Sequence, residues 1–323
     1  MGKGGSAVPS GDVSVNRARN CSIHLPRDPI LLPSSDLYSL GDYTLYFARE
    51  GFASIQQISS GEIFHLRSAP IEEARNLYLE QSGLAEMLRQ AAKAFVVWDV
   101  GLGAAANAMV AIHCYEELAG KDPLRPMTVI SFENDLHPLT LALKQSANFP
   151  YLRHPAPWAI LRKGRWQSVR SSRLSWQLVR GDFRTTVLQS LPAPDLIFYD
   201  MFSSKTCPEL WTLEVFRNLF MACKSQVTKL VTYTRSTSAR AALLGAGFYV
   251  ARGRASKAQE ESTIALMPSG AAQTDSLLGC DWLRRWERSR AKYPALLVPD
   301  ERLTFEHLIR NHPQFAQCPN LAD

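Results

Sequence analysis

The chain has 323 residues, 36 Lys and Arg against 30 Asp and Glu, a formal net charge of +6, and 46% apolar with 20% charged residues. These values are those of a globular chain with one large core plus appendages, or two domains, and the absence of any run of 18 apolar residues argues against a membrane span. The basic balance, with a pI near 9.0, favours an anionic partner, nucleic acid first.

Residues 1–35 are rich in Gly, Ser and Pro and read as a disordered leader. Residues 36–93 read as a cap. YTLYFA, ASIQQI and EIFHL predict a small antiparallel meander, and residues 69–92 show helical spacing. Pro70 suits the first turn of that helix, Gly83 breaks it, and Ile71, Ala74, Leu77 and Tyr78 share a face.

Residues 95–107, FVVWDVGLGAAAN, organise the rest. A run of β-branched and aromatic residues leads without alternation into Gly101-Leu102-Gly103 and a small-residue stretch, which predicts a buried parallel strand, a tight turn and a helix. Glycine there lets backbone approach a ligand at the carboxyl end of a strand. The dinucleotide fingerprint wants a third glycine where Ala106 stands, so the turn alone names no cofactor.

A second strand, MTVISF, ends in Glu133. Its carboxylate is placed either to accept from both hydroxyls of a ribose or to sit at a helix N-terminus that Asn134 or Asp135 caps. Residues 151–173 form a basic insertion with Arg153, Arg162, Lys163, Arg165, Arg170 and Arg173, the tryptophans Trp158 and Trp166, and no acidic residue. Such a segment either follows phosphates and stacks on unpaired bases or is solvated surface.

A third strand leads to Gly181-Asp182-Phe183, where Asp182 either caps the next helix or accepts from the amine of a bound adenine. The stretch PDLIFYDMFSSKTCPELW gives a fourth strand ending at Asp200, a polar loop with Phe202, Lys205 and Cys207, and a helix opened by Pro208. A carboxylate at that strand end faces the same crevice as the glycine turn. A fifth strand, a helix and two strands without an intervening helix close the sheet as a hairpin. Residues 269–323 read as a linker and a basic helical tail, whose Trp282 and Trp286 pack on the core or leave its arginines to extend a basic face. The six cysteines show no CxxC pair, which argues against a metal site or a disulfide framework and for a reducing, cytoplasmic setting.

This order of strand, GxG, acidic strand end, Gly-Asp and Asp-ended strand resembles the class I S-adenosylmethionine-dependent methyltransferases. DMFSSKTCPELWTLEVF is similar to the D-[AG]-F-[SA]-P-x-x-N-P-[ED]-[LM]-W segment of the methyltransferase half of the bifunctional wobble-uridine tRNA modification enzymes. TYTRSTSARAALLGAGFYV and GEIFHLRSAPIEEARNLYLEQ resemble two further segments of that family, the latter particularly in members without the flavin oxidase half; together the three cover about residues 40–267. The resemblance implies an α/β, Rossmann-like domain over 94–268. Its mostly parallel sheet would have seven strands and a terminal antiparallel hairpin, with the meander and helix as its cap.

It further implies a free-standing enzyme that methylates the amine of 5-aminomethyl-2-thiouridine at the tRNA wobble position. S-adenosylmethionine is the implied cofactor and tRNA the partner, with a separate oxidase or tRNA-modifying complex supplying the precursor and no membrane or metal involved. Gly101, Gly103 and Asn107 fall on the cofactor motif, Glu133 on the ribose acid, Asp182 with Phe183 on the adenine side, and Asp200 on the catalytic aspartate. Tyr46 and Phe202 are expected to stack on the base, and Lys205, Arg162, Lys163 and Arg165 to contact RNA. Ala105, Ser204 and Cys207 stand where the family has Gly, Pro and Asn. The rival readings are a methyltransferase of the same fold acting on a small amine or another substrate, and a non-catalytic RNA-binding module.

Overall fold

The computed structural model describes residues 1–2, 38–65, 68–90, 92–224, 227–253, 261–271 and 276–318. The expected leader lies almost wholly outside them. The chain separates into Met1–Leu37 and Tyr38–Asp323, and the helices and strands of the described residues belong to the second unit.

Three short strands, β1 (Ser39–Leu40), β2 (Tyr43–Phe47) and β3 (Ala53–Gln57), form the antiparallel meander. Of EIFHL, Ile63 makes one isolated bridge to Gln56, and Phe64 N and His65 N donate to Ile55 O and Ser54 Oγ of β3, so the segment runs beside the sheet without becoming a strand of it, with Phe64 and His65 lining a cleft. The expected helix runs as Pro70–Ala74 and a π-helical stretch Arg75–Glu80, and resumes as Leu84–Arg89 after Gly83, which takes a left-handed φ of 72°. Ala74, Leu77 and Tyr78 of the expected face are buried.

Among the described residues, eight further strands make the main sheet: β4 (Phe95–Val100), β5 (Met127–Glu133), β6 (Arg165–Gln167), β7 (Leu174–Arg180), β8 (Leu196–Tyr199), β9 (Lys229–Thr232), β10 (Tyr249–Gly253) and β11 (Ser262–Leu266). Their order is β10-β11-β9-β8-β4-β5-β7-β6. β7, β5, β4, β8 and β9 are mutually parallel, while β10, β11 and β6 run antiparallel to their neighbours. The expected sheet of seven strands thus gains an eighth. The basic insertion folds as the helix Pro155–Lys163, a left-handed Gly164 and β6, because β7 otherwise presents an unpaired edge. β4 is buried along all six residues, Asp99 included, as its lack of polar alternation requires.

The chain winds outward from β4 through β5 and β7, then returns to β8 and continues through β9. The strand order therefore reverses between β4 and β8, and the parallel strands end on one rim there. That reversal is where open α/β sheets hold ligands.

The tail packs on the core. Trp282 and Trp286 of the helix Cys280–Glu287 are buried, while Arg284 and Arg285 face out. The tail also covers the outer edge of β10. Arg252 N and Leu278 N donate to Ser276 O and Val250 O, and the Gln314 amide exchanges two hydrogen bonds with Val250 as a peptide group would. Cys280 and Cys318 are joined, with Cα atoms 5.4 Å apart. This disulfide runs against the cysteine spacing, which argues against a disulfide framework and for a reducing setting: the helix from Pro313 to Phe315, held by Phe315 stacked on Trp282, brings together two residues 38 positions apart in sequence.

Candidate functional site

A cleft of about 850 Å3 opens at the rim where the order reverses. Its walls come from the glycine turn, the ends of β5, β7, β8 and β9, and the cap.

The turn is built on close approach. Gly101 has φ 94°, and a Cβ there would stand 2.4 Å from Asp200 O, so no other residue fits between the β4 and β8 ends. Gly103 has φ 51°, and its Cβ would press on the Phe64 ring at 3.0 Å. Ala105 also takes a left-handed φ of 65°, immediately before the helix Ala106–Ala119. The family's third glycine therefore marks a conformation that alanine adopts here at about 1 kcal/mol of strain.

Glu133 Oε2 accepts from Gly103 N at 3.0 Å, and Oε1 accepts from Asn134 N at 2.9 Å and Asp135 N at 3.1 Å. The surrounding protein raises its pKa, with these N–H groups opposing. Of roughly four acceptor positions on a carboxylate, three are occupied, leaving one on Oε2. The next helix, His137–Lys144, has Leu136 at its N-cap and no side-chain cap there; Asp135 Oδ1, one residue earlier, accepts from His137 N at 2.9 Å. Asp182 caps the helix Phe183–Thr186 through Arg184 N and is chelated by the Arg184 guanidinium, which lowers its pKa. It still lines the cleft, as does Phe183, which is otherwise buried edge-on against Phe132 and Tyr199.

Asp200 sits half-buried at the junction. Its Oδ2 accepts from Asn107 Nδ2 at 2.8 Å, while Asn107 Oδ1 is buried without a partner. Desolvation by the packed walls raises the Asp200 pKa; His65, Asn107 and Tyr78 pull it back. The loop after it is pinned from the cap. Glu62 accepts from Ser203 N at 2.9 Å, Ser203 Oγ at 3.0 Å and Thr206 Oγ1, and Tyr233 OH and Trp211 Nε1 donate to Met201 O and Phe202 O. Those ties hold the loop although Ser204 and Cys207 replace Pro and Asn. Phe202 lines the cleft edge-on to Phe64 at 5.2 Å.

Gly101, Gly103, Asn107, Glu133, Asp182, Phe183, Asp200 and Phe202 are thus brought to one cavity. Tyr46 is not. Successive strand residues face opposite ways, and it is Tyr43 that lines the cleft. Lys205 is exposed and outside the lining. Arg162, Lys163 and Arg165 are also outside it and exposed, but Gly164 O accepts from Leu178 N and Arg165 pairs with Gln177, which puts them beside the carboxyl end of β7. The Arg162 guanidinium lies 5.0 Å over the ring of Trp158.

Sequence reading missed Tyr43, Glu62, Phe64, His65, Glu73 and Tyr233, which also line the cleft. The segment GEIFH carries three of them, and three functional side chains in five residues was the available signal. It also missed Asp99, whose Oδ2 accepts from Ser131 Oγ at 2.6 Å, while Trp176 Nε1 donates to that hydroxyl. Burial pushes Asp99 up to about 8.

The residues present fit a nucleoside-bearing cofactor: a glycine turn bare of side chains, a spare acceptor on Glu133 and an orphaned buried carbonyl on Asn107.

Residues 150–268 match a family described as S-adenosyl-L-methionine-dependent methyltransferase. The chain is 28% identical over 204 residues, 59% of its length, to the tRNA 5-methylaminomethyl-2-thiouridine biosynthesis bifunctional protein MnmC of Nitrosospira multiformis, of which the match covers 31%. It is 27% identical over 206 residues to the protein of that name in Ectopseudomonas mendocina, covering 60% of this chain and 30% of that one. The chain thus spans about a third of the length of these curated relatives. The crystal structure of MNMC2 from Aquifex aeolicus superposes with a TM-score of 0.63 at 23% identity, covering 84% of this chain and 83% of the other. That likeness carries the fold.

Proposed function

We propose that this chain, an S-adenosylmethionine-dependent methyltransferase with an MnmC-like domain, methylates the amine of 5-aminomethyl-2-thiouridine at the tRNA wobble position to 5-methylaminomethyl-2-thiouridine. The observation that carries the reading is Asp200, desolvated at the strand-order reversal and opening into a cleft.

When bound, S-adenosylmethionine supplies an electrophilic sulfonium methyl. Gly101, Gly103, Asn107, Glu133, Asp182 and Phe183 are the residues that would hold it, Glu133 with its one free acceptor position. The chain's own work is alignment, which is worth several kcal/mol of barrier, and disposal of a proton. The Asp200 carboxylate orients the amine and takes its proton, a task its raised pKa suits. Phe202 with Phe64 and Tyr43 offers ring edges and faces to an unstacked base. The basic tip beside β7, with Trp158, tracks phosphates outside the cleft, and Lys205, exposed on the loop after Asp200, adds a phosphate contact of its own.

A tRNA substrate makes the cytoplasm the setting. Among the described residues no helix is long and apolar enough to cross a membrane. A separate oxidase or tRNA-modifying complex would supply the aminomethyl precursor.

The test is methyl transfer from labelled S-adenosylmethionine into bulk tRNA from cells lacking the terminal wobble methylation, with nucleosides identified by mass spectrometry. Appearance of 5-methylaminomethyl-2-thiouridine is expected. Cofactor binding without that product overturns the tRNA reading and turns the search to small amines. Charge reversal of Arg162, Lys163 and Arg165 together should raise KM for tRNA by about tenfold or more and flatten its salt dependence, with cofactor affinity unchanged.

A further inference from the structure

The cap contributes to the cavity that holds Asp200 a histidine–carboxylate contact that the methyl-transfer scheme does not use. His65 is 8% exposed, its Nδ1 lies 3.5 Å from Glu73 Oε2, and both residues line the same cavity as Asp200. His65 arises from the strand-like segment after Gly61 and Glu73 from the first turn of the helix Pro70–Ala74. The pair is therefore built by two cap elements, and brought against the β8 end by the Glu62 ties to the catalytic loop. A histidine drawn out of water beside two carboxylates has one role open to it that ordinary packing does not supply: a fixed cation.

We propose that His65 is a positioning residue for the reaction, its imidazolium anchored by Glu73 so that Asp200 stays ionised and free to take the proton of the incoming amine. This rests on the methyl-transfer reading. In that step the amine nitrogen gives a proton to an Asp200 oxygen, its lone pair forms the N–C bond, and the C–S bonding pair leaves on sulfur. The proton passes from Asp200 to solvent through the cleft, and no bond to His65 is made or broken.

The charges facing the pair are consistent with it. Burial by itself lowers the His65 pKa, but Glu73 and Asp200 outweigh it and leave the imidazole above the ordinary histidine value. Asp200 is faced by His65, Asn107, Glu73 and Tyr78. Tyr233 and Asp99 are the other titratable groups coupled to it. Tyr78 and Tyr233 are both held neutral by desolvation first, so among these groups His65 is the one cation that offsets the carboxylates.

The experiment has two readouts on the full-length protein. The first is the imidazole titration of 15N-histidine-labelled protein without cofactor or RNA, with the His65 signal identified among seven histidines by its loss in His65→Gln. Glu73→Gln and Asp200→Asn should each lower the His65 midpoint, by about one pH unit for an opposite charge at close range. An unchanged midpoint in Asp200→Asn overturns the coupling, whether or not the protein methylates tRNA. The second is the pH profile of kcat/KM. His65→Gln should move its acidic limb to higher pH while cofactor affinity holds. A drop of equal size at every pH, with the limb in place, overturns the positioning role in favour of a packing one. A wild-type enzyme inert on tRNA refutes the substrate reading, and the titration then decides the pair by itself.

Discussion

Asp200 in the cleft and Glu306 in the tail are both carboxylates drawn largely out of water, and their surroundings treat them in opposite ways. Glu306, on the helix Arg302–Arg310, accepts from Lys292 Nζ at 2.6 Å, Tyr293 OH at 2.6 Å and Arg310 at 3.0 Å. Those donors, Lys292 first, bring its pKa down to about 2. Asp200 has the Asn107 amide at 2.8 Å and the Tyr78 hydroxyl beside it, and a raised pKa. The first takes two cations and a hydroxyl and ties its own helix to the loop at Lys292 and Tyr293; the second has no cation within salt-bridge distance among the described residues and keeps acceptor capacity unspent, which structure alone would not require. A raised, incompletely satisfied carboxylate at a cleft is the mark of a working group, and one held down by cations the mark of a structural tie.

Substitutions at the two acids should separate these roles. Asp200→Ala should reduce kcat by about 10²–10⁴-fold, the range for losing a positioned proton acceptor, while calorimetry finds S-adenosylmethionine affinity nearly unchanged. A large loss of affinity would instead make Asp200 a cofactor ligand. Gly101→Ala strikes the backbone beneath it and should cost about 2–3 kcal/mol in denaturant unfolding, because a Cβ meets the Asp200 carbonyl at a φ that disfavours side chains.

Glu306→Gln should cost about 2 kcal/mol of stability and leave kcat intact. Its folded pKa is depressed, so its contribution is complete above the ordinary value of 4.5 and is lost as pH falls towards about 2. Acid unfolding curves of the two proteins should converge there. Asp99 has the opposite sign. Its folded pKa of about 8 lies above the ordinary 3.8, so the stability it contributes is complete below 3.8 and lost as pH rises through 8. Asp99→Asn should flatten the pH dependence of stability between those limits, and a slope identical to wild type would mean the acid is ionised in the folded protein.

Much of this molecule was legible in local sequence. The mainly apolar, non-alternating runs at 95–100 and 127–132, the glycines after the first and the acid after the second belong to a strand–turn–helix grammar that depends on near neighbours. The motif residues from Gly101 to Phe202 accordingly converge on one cavity. Tyr46 failed for a reason equally local but finer: strand side chains alternate, and an aromatic one residue out of register faces away. The helical fold of the basic insertion was hidden because its charges mask a modest apolar face, with Ala156, Pro157 and Ile160 turned inward.

What the sequence by itself determined, then, is the order of elements and the chemistry each strand end carries, since periodicity, glycine and acidic strand ends are written within a few residues. Tertiary structure alone decided which distant groups meet. Glu62 clamps a loop about 140 residues away, His65 and Glu73 come to face Asp200, Cys280 reaches Cys318, and Gln314 seals an edge strand. These contacts depend on how the cap and tail pack against the sheet, and packing sums weak interactions over the whole surface rather than leaving a local pattern.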